Sequence, residues 1–350
     1  MSVAKKTSPA IKTVFKKIWP TLRVVLSILL LAKAISHIDW PSLKTALPQL
    51  QPAWLILAII FLLIGNACAG YRWGNLMKAG GFKRKLKKFI SLYFAGSLIN
   101  QGLPTTIGGD SYRAVAAANK ANSARDTFSM PEMSINEIES PTTPPRLRKS
   151  FFIVGLDRTL GLAGNSLLGA IGLIIGGATL SPWASNLGWL LLIIMVLGAS
   201  MIAFSLQYPS LVSLFNRIMA KFGMDDVLIV TRKAWGFPRI AFQLPFAILI
   251  HLFALAAFWA CLKACGINAP IESLTIGMPA LGLLLMLPIS ISGWGLREAT
   301  LSATLALWGV DSGITVLASV SFGIVTLVTY LPGAISLLQR RRQDDLSTKH

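Results

Sequence analysis

Charge is scarce in this sequence. Asp, Glu, Lys and Arg together make up only 13% of the 350 residues, about half the share usual in soluble domains. Hydrophobic residues make up 54%, and the mean hydropathy is +0.63. A soluble protein of that composition would expose apolar patches large enough to aggregate, so a soluble fold is excluded. Three cysteines are too few for a disulfide framework. Cys261 and Cys265 would share a helix face, but with no His or carboxylate nearby they read as packing thiols rather than metal ligands. The three histidines, His37, His251 and His350, are scattered and suggest neither a metal site nor a catalytic triad. The sequence has no G-x-x-x-x-G-K-[ST] loop for ATP phosphates. No nucleic-acid motif accompanies the basic excess, so nucleic acid is not an expected partner. No catalytic residue, metal or cofactor is expected.

What the chain does contain is apolar runs of about the length that spans hydrocarbon. They fall at 21–37, 52–70, 151–178, 187–207, 240–264, 270–288, 296–310 and 313–338. The expected fold is therefore all-α, a polytopic helical membrane protein with about eight transmembrane helices in one domain, 1–350. The segment 89–118 is apolar but broken, and reads as an interrupted, re-entrant element. Ala32-Lys33-Ala34 resembles a signal-peptidase site, but the charged region before it would exceed twenty residues. The first span is accordingly read as uncleaved.

The basic residues set the orientation. Acids number 14 against 33 Lys and Arg, a net charge of +19. Twenty-seven of the basic residues cluster on one set of loops, and only Lys44 and Lys263 fall on the other. That asymmetry predicts that the basic loops, with both termini, are cytoplasmic; the expected location is the cell inner membrane. Residues 1–20 form a basic cytoplasmic N-terminus and 339–350 a cytoplasmic tail. The stretch 119–149, with Pro131, Pro141, Pro144, Pro145 and mixed charges, reads as a flexible polar insert that cannot bury enough apolar surface to order itself.

One pattern occurs twice. Leu103-Pro104-Thr105-Thr106-Ile107-Gly108-Gly109-Asp110-Ser111-Tyr112-Arg113 is echoed by Leu287-Pro288-Ile289-Ser290-Ile291-Ser292-Gly293-Trp294-Gly295-Leu296-Arg297-Glu298. In both, arginine follows proline by nine residues, with glycine at the fifth position. Proline ends the incoming helix, glycine allows a sharp turn, and a new helix is expected near Asp110 or Ser111 and again near Gly295. Paired interruptions in the two halves of a chain point to an inverted repeat and a transporter's binding site. The amides of Gly108, Gly109, Gly293 and Gly295 and the guanidiniums of Arg113 and Arg297 are the expected substrate ligands, converging in one pocket. Arg72, Asp110, Asp157, Arg158 and Glu298 are the expected charge network around them. Charges within a span normally face a partner or a cavity. Asp157 and Arg158 are neighbours that point apart on a helix, so Asp157 is expected to pair with another arginine, Arg113 or Arg297. A structural lock and a functional role for Asp157 both fit the sequence.

With these residues in place, the chain resembles the family named for the transmembrane region of lysylphosphatidylglycerol synthase, the flippase-like membrane proteins. The matching pieces are Arg72-Trp73, Gly108-Gly109-Asp110…Arg113, Asp157-Arg158…Gly161 and Gly293-Trp294-Gly295…Arg297-Glu298. The resemblance implies movement of an anionic lipid or lipid-linked group between leaflets. No aminoacyl-transferase domain follows the last span, so aminoacylation by this chain is not expected. The alternatives are a non-transporting partner of a lipid-biosynthesis enzyme, or an intramembrane enzyme acting on a lipid phosphate. The latter lacks an evident nucleophile–base pair.

Overall fold

The computed structural model of the chain describes residues 50–102, 107–118, 145–205, 208, 210, 213–214, 217, 237–287, 290 and 292–338. The expected span at 21–37, Pro104, Pro288 and residues 119–144 of the polar insert lie outside these. Among the described residues all regular structure is helical: α1 Pro52–Ala79, α2 Leu86–Gly102, α3 Ile107–Ala118, α4 Pro145–Ile175, α5 Gly177–Leu180, α6 Pro182–Ser205, α7 Phe237–Ala264, α8 Ile271–Leu284, α9 Leu296–Ala306 and α10 Ser312–Tyr330. Five helices, Pro52–Ala79, Arg146–Leu180, Pro182–Met201, Phe242–Ala264 and Ser312–Leu338, are long and apolar enough to cross a membrane.

The first difference from the sequence reading lies in the second half. The stretches 270–288 and 296–310, expected as two crossings, form helices of 14 and 11 residues. At 1.5 Å per residue these are about 21 and 17 Å long, short of the ~30 Å hydrocarbon core. The cause is the backbone between them. Ser292 (φ 51°), Gly293 (φ 80°) and Gly295 (φ 80°) adopt left-handed conformations that no helix can contain. The chain therefore folds back: Gly277 on α8 packs against Leu301 and Thr304 on α9, and Gly293 against Leu285.

The pair α2 and α3 is built the same way, with 17 and 12 residues. Gly96 lies against the backbone of Gly109 and the Cβ of Arg113, so α3 retraces α2 at a distance that a side chain at either glycine would prevent. The second helix of this pair starts at Ile107, three residues earlier than expected, which puts Gly108 and Gly109 in its first turn rather than in a loop. The polar insert is likewise shorter than expected. Arg146–Lys149 already belong to α4, which begins at Pro145, a residue suited to a helix's first turn.

The two hairpins meet at their tips. The Ser292 hydroxyl donates to the carbonyl of Gln101 at 2.8 Å and lies 3.2 Å from that of Asn100. These are C-terminal carbonyls of α2 that have no partner within the helix. Each hairpin also has its own apolar cluster. Trp73, Phe89, Leu92 and Ile153 pack around the first, and Phe258, Leu274, Leu301 and Leu305 around the second. The long helix α4 touches both: its Asn165 Nδ2 donates to the Pro279 carbonyl in α8 at 2.9 Å. Lipid tails are as apolar as leucine, so close approach and interhelical hydrogen bonds carry such packing. Gly164 against Ala247 and Gly333 against Phe94 show the same device.

Two glycine substitutions separate close packing from mere helix content. Gly109→Ala drives a methyl into the Gly96 carbonyl and Asn100, and should cost about 1–3 kcal/mol by overpacking. Gly155→Ala, on α4 with nothing within 4 Å, should be neutral or stabilise by up to about 1 kcal/mol. Thermal unfolding of the purified protein in detergent checks both.

Candidate functional site

A charged network is built on three helices. In α4 the adjacent residues Asp157 and Arg158 point to different sides, as a 3.6-residue period requires. Asp157, 2% exposed, faces inward. One of its carboxylate oxygens accepts from Arg72 Nε of α1 at 3.0 Å, and the other from Arg113 Nη1 of α3 at 3.0 Å. Arg72 Nη2 also donates to the Asp157 backbone carbonyl at 3.0 Å. Charges this deeply buried are tolerated only when paired and hydrogen-bonded. Asp157 thus joins α1, α3 and α4 through one carboxylate.

Arg158 turns the other way. Its Nε and Nη2 donate to the two oxygens of Asp110, at 2.8 and 2.9 Å, in a two-pronged pair. Asp110 stands in the first turn of α3, where the helix dipole favours an acid. It also accepts from Arg113 Nε at 3.0 Å. Arg113 is therefore shared between both carboxylates, and its guanidinium lies 5.1 Å from the ring centres of Trp73 and Tyr93. The side chains of Arg72 and Arg113 are 5% and 3% exposed, whereas that of Arg158 is 45% exposed. It faces a small cleft, with room for about one water, lined by Tyr93, Gly96, Ser97, Asn100, Asp110, Arg113 and Arg158.

The second hairpin carries a smaller cluster. Glu298, fully buried, accepts from the Gly295 amide at 2.6 Å and so caps α9. Its other oxygen takes Nε and Nη2 of Arg297 at 2.9 and 2.7 Å, and the Ser319 hydroxyl lies 3.5 Å away. The Arg297 guanidinium sits 4.5 Å from the Trp294 ring centre. It fills the space left by the missing side chain of Gly323.

The sequence-derived site is thus brought together only in part. Asp110, Arg113, Asp157, Arg158 and Arg72 form one network, and the pairing of Asp157 with Arg113 is as expected. Arg297 does not reach Asp157; Arg72 takes that place. Arg113 and Arg297 do not share a pocket, because each is sealed against carboxylates of its own. Of the four glycines expected to offer amides, Gly109 donates to Asn100 Oδ1 at 2.7 Å and Gly295 to Glu298, so both amides have partners within the protein. Gly293 serves at the bend, and Gly108 sits at the head of α3. The sequence reading passed over Tyr93, Ser97 and Asn100. Their spacing of i, i+4, i+7 marks one polar face along an otherwise apolar helix, and that signal was available. Among the described residues, no three His, Cys, Asp or Glu side chains are grouped to hold a metal.

Comparison with known proteins adds one match. The model of the family described as the lysylphosphatidylglycerol synthase TM region matches residues 21–333. No curated protein and no solved structure matches the chain.

The buried network makes a stability prediction. Asp157→Ala leaves the buried Arg72 without its carboxylate, beside an Arg113 that keeps only Asp110, and should destabilise the protein by about 3–5 kcal/mol. Converting the exposed pair with Arg158→Gln should cost about 1 kcal/mol or less. Unfolding midpoints in detergent should therefore fall steeply for the first variant and little for the second.

Proposed function

The chain belongs to the lysylphosphatidylglycerol synthase TM-region family, a multi-pass membrane family of lipid metabolism or transport, and on that premise we propose that it moves an anionic lipid, or a lipid-linked group, between the leaflets of the inner membrane. The observation that carries this reading is the contact between two short helical hairpins, joined where Ser292 meets the end of α2. Neither hairpin is long enough to cross hydrocarbon, and both turn back. Broken backbone at membrane depth is tolerated where protein or water satisfies it, and transporters place such paired breaks around their substrate.

The topology supports the same reading. The basic residues of 78–88, 120–149 and 217–239 assign those connections to the cytoplasmic side. Hairpin α2–α3 then dips in from the cytoplasm and α8–α9 from the opposite face. With 21–37 counted, six full crossings leave both termini cytoplasmic. Replacing the two expected crossings at 270–310 by a single hairpin does not disturb that parity. In this arrangement Arg113 and Arg297, each held by a carboxylate, fix the hairpins, while the cleft beside Arg158 is open to a head group. The basic loop residues raise the local concentration of anionic lipid, at about 1 kcal/mol for each Lys or Arg near the surface.

Vesicles with the purified protein and leaflet-resolved labelled phosphatidylglycerol test the proposal. Transfer should run faster than in protein-free vesicles of the same composition. Transfer no faster than in those vesicles, with the protein folded and inserted, removes the transport reading in favour of a non-transporting partner of a lipid-synthesis enzyme.

A further inference from the structure

We propose that the cleft beside α2 and α3 binds the phosphodiester of a lipid head group, with Arg158 as the ligand and Asp110 as the carboxylate that the phosphate displaces. The lipid part of this assignment rests on the transport reading; the phosphate geometry stands without it.

Four observations converge. The first is the exposure of Arg158. It lies nine residues beyond Lys149, or about 13.5 Å along α4, yet its side chain is 45% exposed while Arg72, Arg113 and Arg297 are at most 7% exposed. A guanidinium at such depth faces a cavity, water or a counter-ion, never bare hydrocarbon.

The second is the shape of its present partner. Asp110 offers two oxygens to Nε and Nη2 at 2.8 and 2.9 Å. A phosphodiester has two non-bridging oxygens in a similar fork, and arginine recognises both groups in the same way. Asp110 therefore occupies the arginine as an internal substitute for the ligand. On displacement it keeps its 3.0 Å bond to Arg113 Nε, so no carboxylate is stranded.

Charge balance is the third. Among the described residues, Arg72, Arg113 and Arg158 face Asp110 and Asp157, which leaves one positive charge in excess. A phosphodiester supplies one negative charge. Hairpin α8–α9 has no such surplus, because Arg297 and Glu298 neutralise each other.

The lining is the fourth. Tyr93, Ser97 and Asn100 make the lining polar, and Asn100 is held in place there by the Gly109 amide, which donates to its Oδ1. These residues form one face of α2. That face ends at Gln101, against Ser292 of the other hairpin.

Equilibrium binding to the full-length protein in detergent tests the site without reading transport. Thermal unfolding is followed against dihexanoyl phosphatidylglycerol, against glycerophosphoglycerol without acyl chains, and against dihexanoylglycerol without phosphate. The wild type should show a saturable rise in midpoint with the first, a much weaker one with the second and none with the third. Arg158→Ala should weaken phosphatidylglycerol binding at least tenfold, with Arg158→Lys intermediate because the charge remains and the fork is lost. Asp110→Asn should tighten binding several-fold, an effect that a purely structural pair would not produce. Unchanged affinity in Arg158→Ala or Arg158→Lys, or weaker binding in Asp110→Asn, would overturn the site. Equal affinity for glycerophosphoglycerol would overturn its assignment to a lipid. Intact, Arg158-dependent binding without leaflet transfer would remove the transport reading and leave the site in place.

Discussion

One carboxylate holds the first half of this molecule together. Asp157 sits at the junction of α1, α3 and α4 and accepts from Arg72 on one side and Arg113 on the other. In water such a junction would add little, since exposed ion pairs are worth at most about 1 kcal/mol. In a membrane interior the alternative to pairing is an uncompensated charge in hydrocarbon, so the geometry is enforced. Fixing Asp157 inward also fixes Arg158 outward, because adjacent residues on a helix diverge by about 100°. The exposure of Arg158 at the cleft is thus a consequence of the burial of its neighbour. One helical turn of α4 supplies both the lock and the open cation.

Most of the fold was legible in the sequence because membrane constraints are strong. A crossing helix needs a long apolar run, and the described spans follow those runs. The second backbone break was legible too, since Gly293 and Gly295, where a turn and a new helix were expected, carry positive φ angles. What the pattern did not reveal was whether an apolar run of 15 to 19 residues crosses or turns back. The runs 270–288 and 296–310 have the composition of spans, and only the bend at 292–295 makes them a hairpin. Composition measures affinity for lipid, not direction of travel.

The site was legible in its membership and not in its pairing. Arg113, Asp110, Asp157 and Arg158 stood out as charges within apolar sequence, but which acid meets which arginine depends on how helices distant in sequence are rotated. Arg297 shows the limit of a helix rule. Neighbours at i and i+1 do not face each other in a helix interior, yet Arg297 and Glu298 are paired. Glu298 reaches back to cap Gly295, which brings its carboxylate to the helix end. There the long arginine stem can fold over it. End effects govern α9 because only 11 residues separate its termini.

The two hairpins are alike in backbone and unlike in electrostatics, and that contrast constrains how they work together. Both are pairs of short helices that fold back on each other, and they meet through a hydroxyl donated to helix-end carbonyls. A hydroxyl–carbonyl contact is neutral and modest, of the order of 1 kcal/mol, so the tips can part without stranding a charge. The strong interactions lie within each half, in Asp157 with its two arginines and in Arg297 with Glu298, which braces the 292–295 bend from the head of α9. A molecule with strong charged pairs inside each half and a neutral seam between the hairpin tips concentrates its compliance at the seam. The polar face of α2 leads to that same seam, through Asn100 and Gln101. A head group held at Arg158 would therefore find the easiest opening in the structure at the upper end of the face it already occupies.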